Sequence, residues 1–141
     1  MTTKEYLSQI SRLNSQIKTK LKELSQLKEL SESISAINNE ERVQTMPNFD
    51  KIGTAYCRIE ELEEKIDSLV RESIEKREKI ISQIDGMEDE MEYQILFQRY
   101  IIGDTLEQIS QDTCYVYRSV TRLHGRALKS FEKKYGKEYL S

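Results

Sequence analysis

"DTLEQISQDTCYVYRSVTRLHGRALKSF", Asp104 to Phe131, is the stretch on which the fold turns. Thr105 is followed three residues later by Gln108, the spacing of a capping box. There a threonine hydroxyl accepts from a backbone amide and the glutamine side chain reaches back. Leu106 and Ile109 give the short helix behind that cap an inward face. After a turn over Asp112 to Val116, apolar residues return at Val120, Leu123, Ala127, Leu128 and Phe131, the three- and four-residue steps of a helix. Arg118, Arg122 and Arg126 run beside them on a four-residue spacing. A short helix, a tight turn and a longer basic helix follow the order of a helix-turn-helix.

That order assigns roles. Val120, Leu123, Ala127 and Phe131 form the face packed on the preceding helix. Tyr117, Arg118, Thr121 and Arg122 remain at the N-terminal end, where helix-turn-helix proteins read base edges. Arginine can donate two hydrogen bonds to guanine, Thr121 offers a hydroxyl and a methyl, and Tyr117 can reach a phosphate or a thymine methyl. Arg126, Lys129, Lys133 and Lys134 suit phosphates, which set register and not sequence. Gly125 costs about 1 kcal/mol of helix propensity and suggests close approach of DNA or of a neighbouring helix. His124, beside the apolar stripe, reads as a partly buried structural histidine, and Tyr93 and Tyr100 as core. The competing reading of the basic ladder is a solvated charged face. The capped short helix and the matching apolar stripe weigh against it.

The net charge of −3 hides a division. Thr113 to Lys137 holds seven bases (the three arginines, Lys129, Lys133, Lys134 and Lys137) against Glu132 alone, a balance of +6. Of 22 bases and 25 acids in all, 15 and 24 are left elsewhere, a balance of −9. Such asymmetry points to a local anionic partner and argues against polyanion binding over the whole surface.

Working outward, "EDEMEYQILFQRYIIG" carries Met91, Ile95, Leu96, Tyr100, Ile101 and Ile102 and reads as a helix stopped by Gly103. Further upstream, Ile10, Leu13, Ile17, Leu21, Leu24, Leu27, Ile34 and Ile37 predict a helix from about residue 3 to 38. Ile10, Ile17 and Leu24 fit one heptad core position and Leu13, Leu27 and Ile34 the other; Lys20 and Ser31 interrupt the seam. Residues 39–49, with Pro47, read as a loop and Asp50 as the cap of the next helix. A second stripe follows through Ile52, Tyr56, Ile59, Leu62, Ile66, Leu69, Ile74, Ile80, Ile81, Ile84 and Met87, with Gly86 as a candidate break. The two long helices form either an antiparallel hairpin or arms that pair between chains. The expected class is all-α: a long-helix oligomerisation or interaction region over 1–86 and a helix-turn-helix domain over 87–141.

Other chemistry is thinly represented. Cys57, Cys114 and His124 do not assemble a zinc site at normal ligand spacings, and two reduced thiols in a reducing cytoplasm are the plain reading. Phosphate-binding glycine loops and nucleophile–histidine–carboxylate sets are missing, so neither an enzyme nor a cofactor is expected. Met1 to Ile10 lacks the apolar core of a signal peptide, and no apolar run approaches the ~20 residues of a membrane span.

"RYI-G-T-E-I" over Arg99–Ile109 and "YR-V-RLH-RAL" over Tyr117–Leu128 resemble region four of sigma-70-type factors. More closely, they resemble the small phage-encoded transcriptional regulators of Gram-positive bacteria of the late-gene activator (ArpU-like) type. "RIEELEEKIDSLVRESIEKREKIISQI", from Arg58, suits the helix that family carries upstream, so the likeness covers about residues 50–135. Val116 departs from it, standing where such proteins usually place a serine or threonine cap; Thr113 or a packed Tyr117 are candidates to compensate. Ser110 and Leu106 stand where alanine and tryptophan are common. The resemblance implies a non-catalytic regulator of phage or prophage promoters in the cytoplasm of a bacterial host. Its expected partners are duplex DNA and a second copy, as a homodimer or higher oligomer. The alternatives are an interaction protein that grips RNA polymerase or another host factor, and a small DNA-packaging subunit.

Overall fold

In the computed structural model the backbone is described over residues 1–40 and 49–140, and side chains over 1–33 and 53–140. Helix α1 (Thr3–Leu7) starts at Thr2, whose hydroxyl accepts from the Glu5 amide at 3.2 Å while the Glu5 carboxylate accepts from the Thr2 amide at 3.0 Å. Ser8 joins it to α2 (Gln9–Glu40). The pair replaces the single helix expected from residue 3 to 38. Helix α3 covers Phe49–Asp85, so Asp50 lies inside it and not before it. Of the expected loop, residues 41–48 lie outside the described residues, and Asn39, Glu40 and Phe49 are helical.

Gly86 ends α3 beside the Tyr135 hydroxyl, which would have to shift to admit a Cβ there. The Asp89 carboxylate then caps α4 (Glu90–Leu96), accepting from the Met91 and Glu92 amides at 2.9 and 3.1 Å. Helix α4 runs into a π-helical stretch, Phe97–Ile102, which Gly103 stops at φ 92°, as expected of that glycine. The Gly103 and Asp104 amides both donate to the Gln98 carbonyl, at 3.0 and 2.9 Å. The predicted Thr105–Gln108 capping box opens α5 (Leu106–Thr113). Three residues, Cys114–Val116, connect it to α6 (Tyr117–Tyr135), and a 3₁₀ turn over Gly136–Glu138 follows. Every regular element among the described residues is helical, which makes the chain all-α.

Two compact units result, and their limits differ from a division at residue 86. One joins Met1–Asn14 to Ser73–Ser141; the other is Ser15–Glu72. The cause is packing. Tyr6, Leu7 and Ile10 enter the same core as Ile80, Ile84, Ile95, Leu96, Tyr100, Ile109, Val120, Ala127 and Phe131. Tyr139 stacks on Tyr6 with ring centroids 4.2 Å apart and its hydroxyl meets Thr3 Oγ1 at 2.8 Å. Tyr6 Oη donates to Gln83 Oε1 at 2.6 Å.

In the second unit, α2 and α3 pair within the chain, and Lys28 Nζ lies 3.5 Å from Glu63 Oε1. The heptad seam is real. Ile17, Lys20, Leu24, Leu27 and Ser31 of α2 are half-buried; of α3, Ile59 and Leu69 are half-buried and Leu62 and Ile66 buried, with Leu27 and Leu62 lining one groove. The side chain of Ile34 lies outside the described residues. The seam is narrower than the apolar pattern. Leu21 and Tyr56 in this unit, and Ile74 in the other, stay exposed because a single partner helix covers little more than the heptad core positions.

Candidate nucleic-acid interface

Helix α6 divides cleanly by burial. Val120, His124, Ala127 and Phe131 are buried and Leu123 and Leu128 half-buried, all on one side. Tyr117, Arg118, Thr121, Arg122, Arg126, Lys129 and Lys133 are exposed. Among the described residues no carboxylate pairs with these five cations. All four expected base readers therefore lie together at the exposed N-terminal half of α6. Three of the four expected phosphate contacts continue from them.

Lys134 does not continue that row. Its ammonium donates to the Gly86 carbonyl and sits 5.7 Å from the Tyr135 ring centroid, so it ties α6 to the end of α3. Lys137 takes its place: with Lys129, Lys133, Glu132, Gly136 and Leu140 it lines an open groove at the end of α6. The four-residue steps from Lys129 to Lys133 to Lys137 were legible in the sequence, and Lys137 was counted in the basic segment without being assigned a phosphate.

Thr121 is also less available than its type suggests. Its hydroxyl donates to the Tyr117 carbonyl at 2.9 Å, leaving the methyl and the oxygen lone pairs to face outward. At Gly125 a Cβ would meet nothing within 4 Å, so no neighbouring helix explains this glycine.

The side that holds α6 is built around His124. Its Nε2 lies 2.7 Å from the Tyr100 hydroxyl, and the two rings stack at 5.7 Å. Burial, then the charges of Lys4 and Arg99, push the imidazole below its ordinary pKa. Burial raises the Tyr100 hydroxyl to about 12, against a smaller pull from Arg99. A neutral imidazole bonded to a protonated phenol results, as expected of a structural histidine. Arg99 lies 5.8 Å from the Tyr100 ring centroid and donates to the Asp104 carbonyl at 3.4 Å, bracing the segment before α5.

The turn before α6 is held without glycine. Cys114 takes the left-handed conformation at φ 61°, which costs about 1–2 kcal/mol in a residue with a Cβ. Ser110 Oγ donates to the Tyr115 carbonyl at 2.5 Å and steadies the turn. Thr113 Oγ1 donates to the Ile109 carbonyl at 2.7 Å and does not cap α6; Tyr117 is exposed and does not pack to compensate. Val116 is the N-cap residue, and no side chain bonds the amides of the first turn. Cys57 and Cys114 are both exposed free thiols, and no cluster of metal-ligating residues occurs among the described residues. No helix among them is long and apolar enough to cross a membrane.

Comparison with family models, with curated proteins and with solved structures finds no match for this chain.

Proposed function

We propose that the chain is a transcriptional regulator that binds duplex DNA by laying the N-terminal half of α6 in the major groove. One observation carries the reading: α6 buries one face while its other face offers Tyr117, Arg118, Thr121 and Arg122 with three further unpaired cations, behind a capped helix and a three-residue turn. Arg118 and Arg122 read base edges, most favourably guanine O6 and N7. Arg126, Lys129 and Lys133 hold phosphates and set the register. The resemblance of Arg99–Ile109 and Tyr117–Leu128 to ArpU-like phage regulators and to sigma-70 region four supports a role at phage or prophage promoters in a bacterial cytoplasm.

A homodimer belongs to this proposal. Exposed Leu21, Leu30 and Tyr56 leave apolar surface on the α2–α3 hairpin after its own seam is closed. A two-fold dimer favours half-sites about one helical turn apart, ~34 Å, or a multiple of it.

Selection of DNA fragments by the full chain, followed by mobility-shift titration, tests the reading. Arg122→Ala is expected to weaken binding to the selected site about 5- to 150-fold, the equivalent of ~1–3 kcal/mol, and to relax base choice at one position. Lys129→Ala is expected to weaken selected and random duplex alike and to lower the salt slope by about 1. If no duplex shifts at low salt and the chain instead captures RNA polymerase, the interaction-protein alternative takes its place.

A further inference from the structure

The N-cap position of α6 holds a residue that cannot cap. Val116 has the extended backbone of an N-cap, φ −65° and ψ 149°, yet gives the first-turn amides no acceptor. Serine, threonine, aspartate or asparagine there stabilises a helix by about 0.5–2 kcal/mol over an aliphatic residue. Packing does not compensate. At 68 % exposure Val116 is the most exposed large apolar side chain among the described residues, and Tyr115 and Tyr117 beside it are about half exposed. The turn that displays it is ordered through the Ser110–Tyr115 hydrogen bond. Val116 therefore weakens the helix start and contributes nothing to the core, while standing two residues from Arg118 at the leading end of the basic face.

Resting on the DNA reading above, we infer that Val116 contacts the C5-methyl group of a thymine in the major groove and sets a thymine preference next to the base read by Arg118. Thymine alone presents a methyl on that edge, and apolar side chains recognise it without a hydrogen bond. A branched aliphatic tip covers a methyl group on both of its own γ-carbons. A hydroxyl at the same place would cap α6 but put a polar atom against that methyl. Tyr115 and Tyr117 beside it add half-exposed apolar surface, and the neighbouring arginines match the charge of the duplex. Loss of the cap is thus the cost of a specificity contact.

The test uses the full chain and its selected duplex, with each thymine replaced in turn by deoxyuridine. That exchange removes the methyl and keeps every hydrogen-bonding group. Wild type is expected to lose about 4-fold in affinity at one position, the weight of one buried methyl group. Val116→Ser is expected to bind the thymine duplex more weakly and to be indifferent to uracil there, and Val116→Ala to show a smaller methyl effect than wild type. Val116→Ser is also expected to melt at a higher temperature through the regained cap, which separates a lost contact from a lost fold. Duplex binding with no methyl-sensitive position, or equal methyl sensitivity in Val116→Ser, overturns this contact and leaves the DNA reading standing. A Val116→Ser defect confined to capture of a protein partner overturns it in favour of a protein surface. Failure of wild type to bind any duplex removes the DNA reading and this contact with it.

Discussion

The two units use the same kind of helix in opposite ways. Around α6, side chains from α1, α2, α3, α4 and α5 converge, and Leu7, Ile84, Leu96, Ala127 and Phe131 have 0 % exposure. In Ser15–Glu72 two helices face each other, and among the described residues only Leu62 and Ile66 are buried hydrophobics. A helix surrounded on several sides can bury whole residues; a helix with one neighbour buries a stripe. Surface charge differs in the same sense. The hairpin groove mixes Lys20, Arg58 and Lys65 with Glu23 and Glu61, whereas the exposed face of α6 from Arg118 to Lys133 carries five cations against Glu132 alone. The unit with the firm core thus carries the predominantly basic face, and a rigid base suits side chains that must meet a partner in fixed register.

Cutting the core should break this contrast most visibly. Phe131→Ala is expected to cost about 3–5 kcal/mol in urea unfolding. Leu24→Ala, in the half-buried seam, is expected to cost about 1 kcal/mol, since partial burial carries roughly half of a leucine's transfer energy. Equal losses would mean that the hairpin is as firmly packed as the core.

A smaller effect follows from His124. Its folded pKa is depressed, so the unfolded chain binds the extra proton first as pH falls. The stability due to the neutral imidazole is full above the unfolded value of about 6.5 and is lost as pH drops through the lower folded value. The urea midpoint should therefore fall between about pH 7.5 and 5.5, and fall less in His124→Gln. Identical pH dependence in the two proteins would show that His124 does not titrate on unfolding.

The smallest effect belongs to the hairpin surface. Lys28 and Glu63 are 53 % and 49 % exposed at 3.5 Å, so a double-mutant cycle should give about 0–1 kcal/mol and vanish in high salt. A larger coupling would indicate that the seam depends on its flanking charges.

Much of the firm unit was legible because its signals are local. The Thr105–Gln108 box, the Gly103 stop and the Val120–Phe131 stripe each depend on residues within a few turns. Thr2 and Glu5 carry an equally local signal, and their capping box marks the true start of α1. Three features were not legible, for physical reasons. A heptad seam looks the same whether its partner is the next helix or another chain, so pairing of α2 with α3 could not be read from periodicity. The entry of Tyr6, Leu7 and Ile10 into the core around Phe131 joins residues more than a hundred positions apart. The π-helical stretch over Phe97–Ile102 has no residue signature of its own. In the candidate interface, residue type suggested Lys134 as a phosphate contact. Its bond to the Gly86 carbonyl depends on how α6 packs against the end of α3, which sequence spacing does not reveal.

On the proposed reading the basic face of α6, and not the hairpin, meets duplex DNA. Backbone amide shifts of the full chain, recorded by NMR during titration with its selected duplex, locate the contact. Shifts clustered over Tyr115–Lys133, with little change in Ser15–Glu72, are expected. Shifts concentrated on the hairpin, or no shifts at low salt, would contradict that reading.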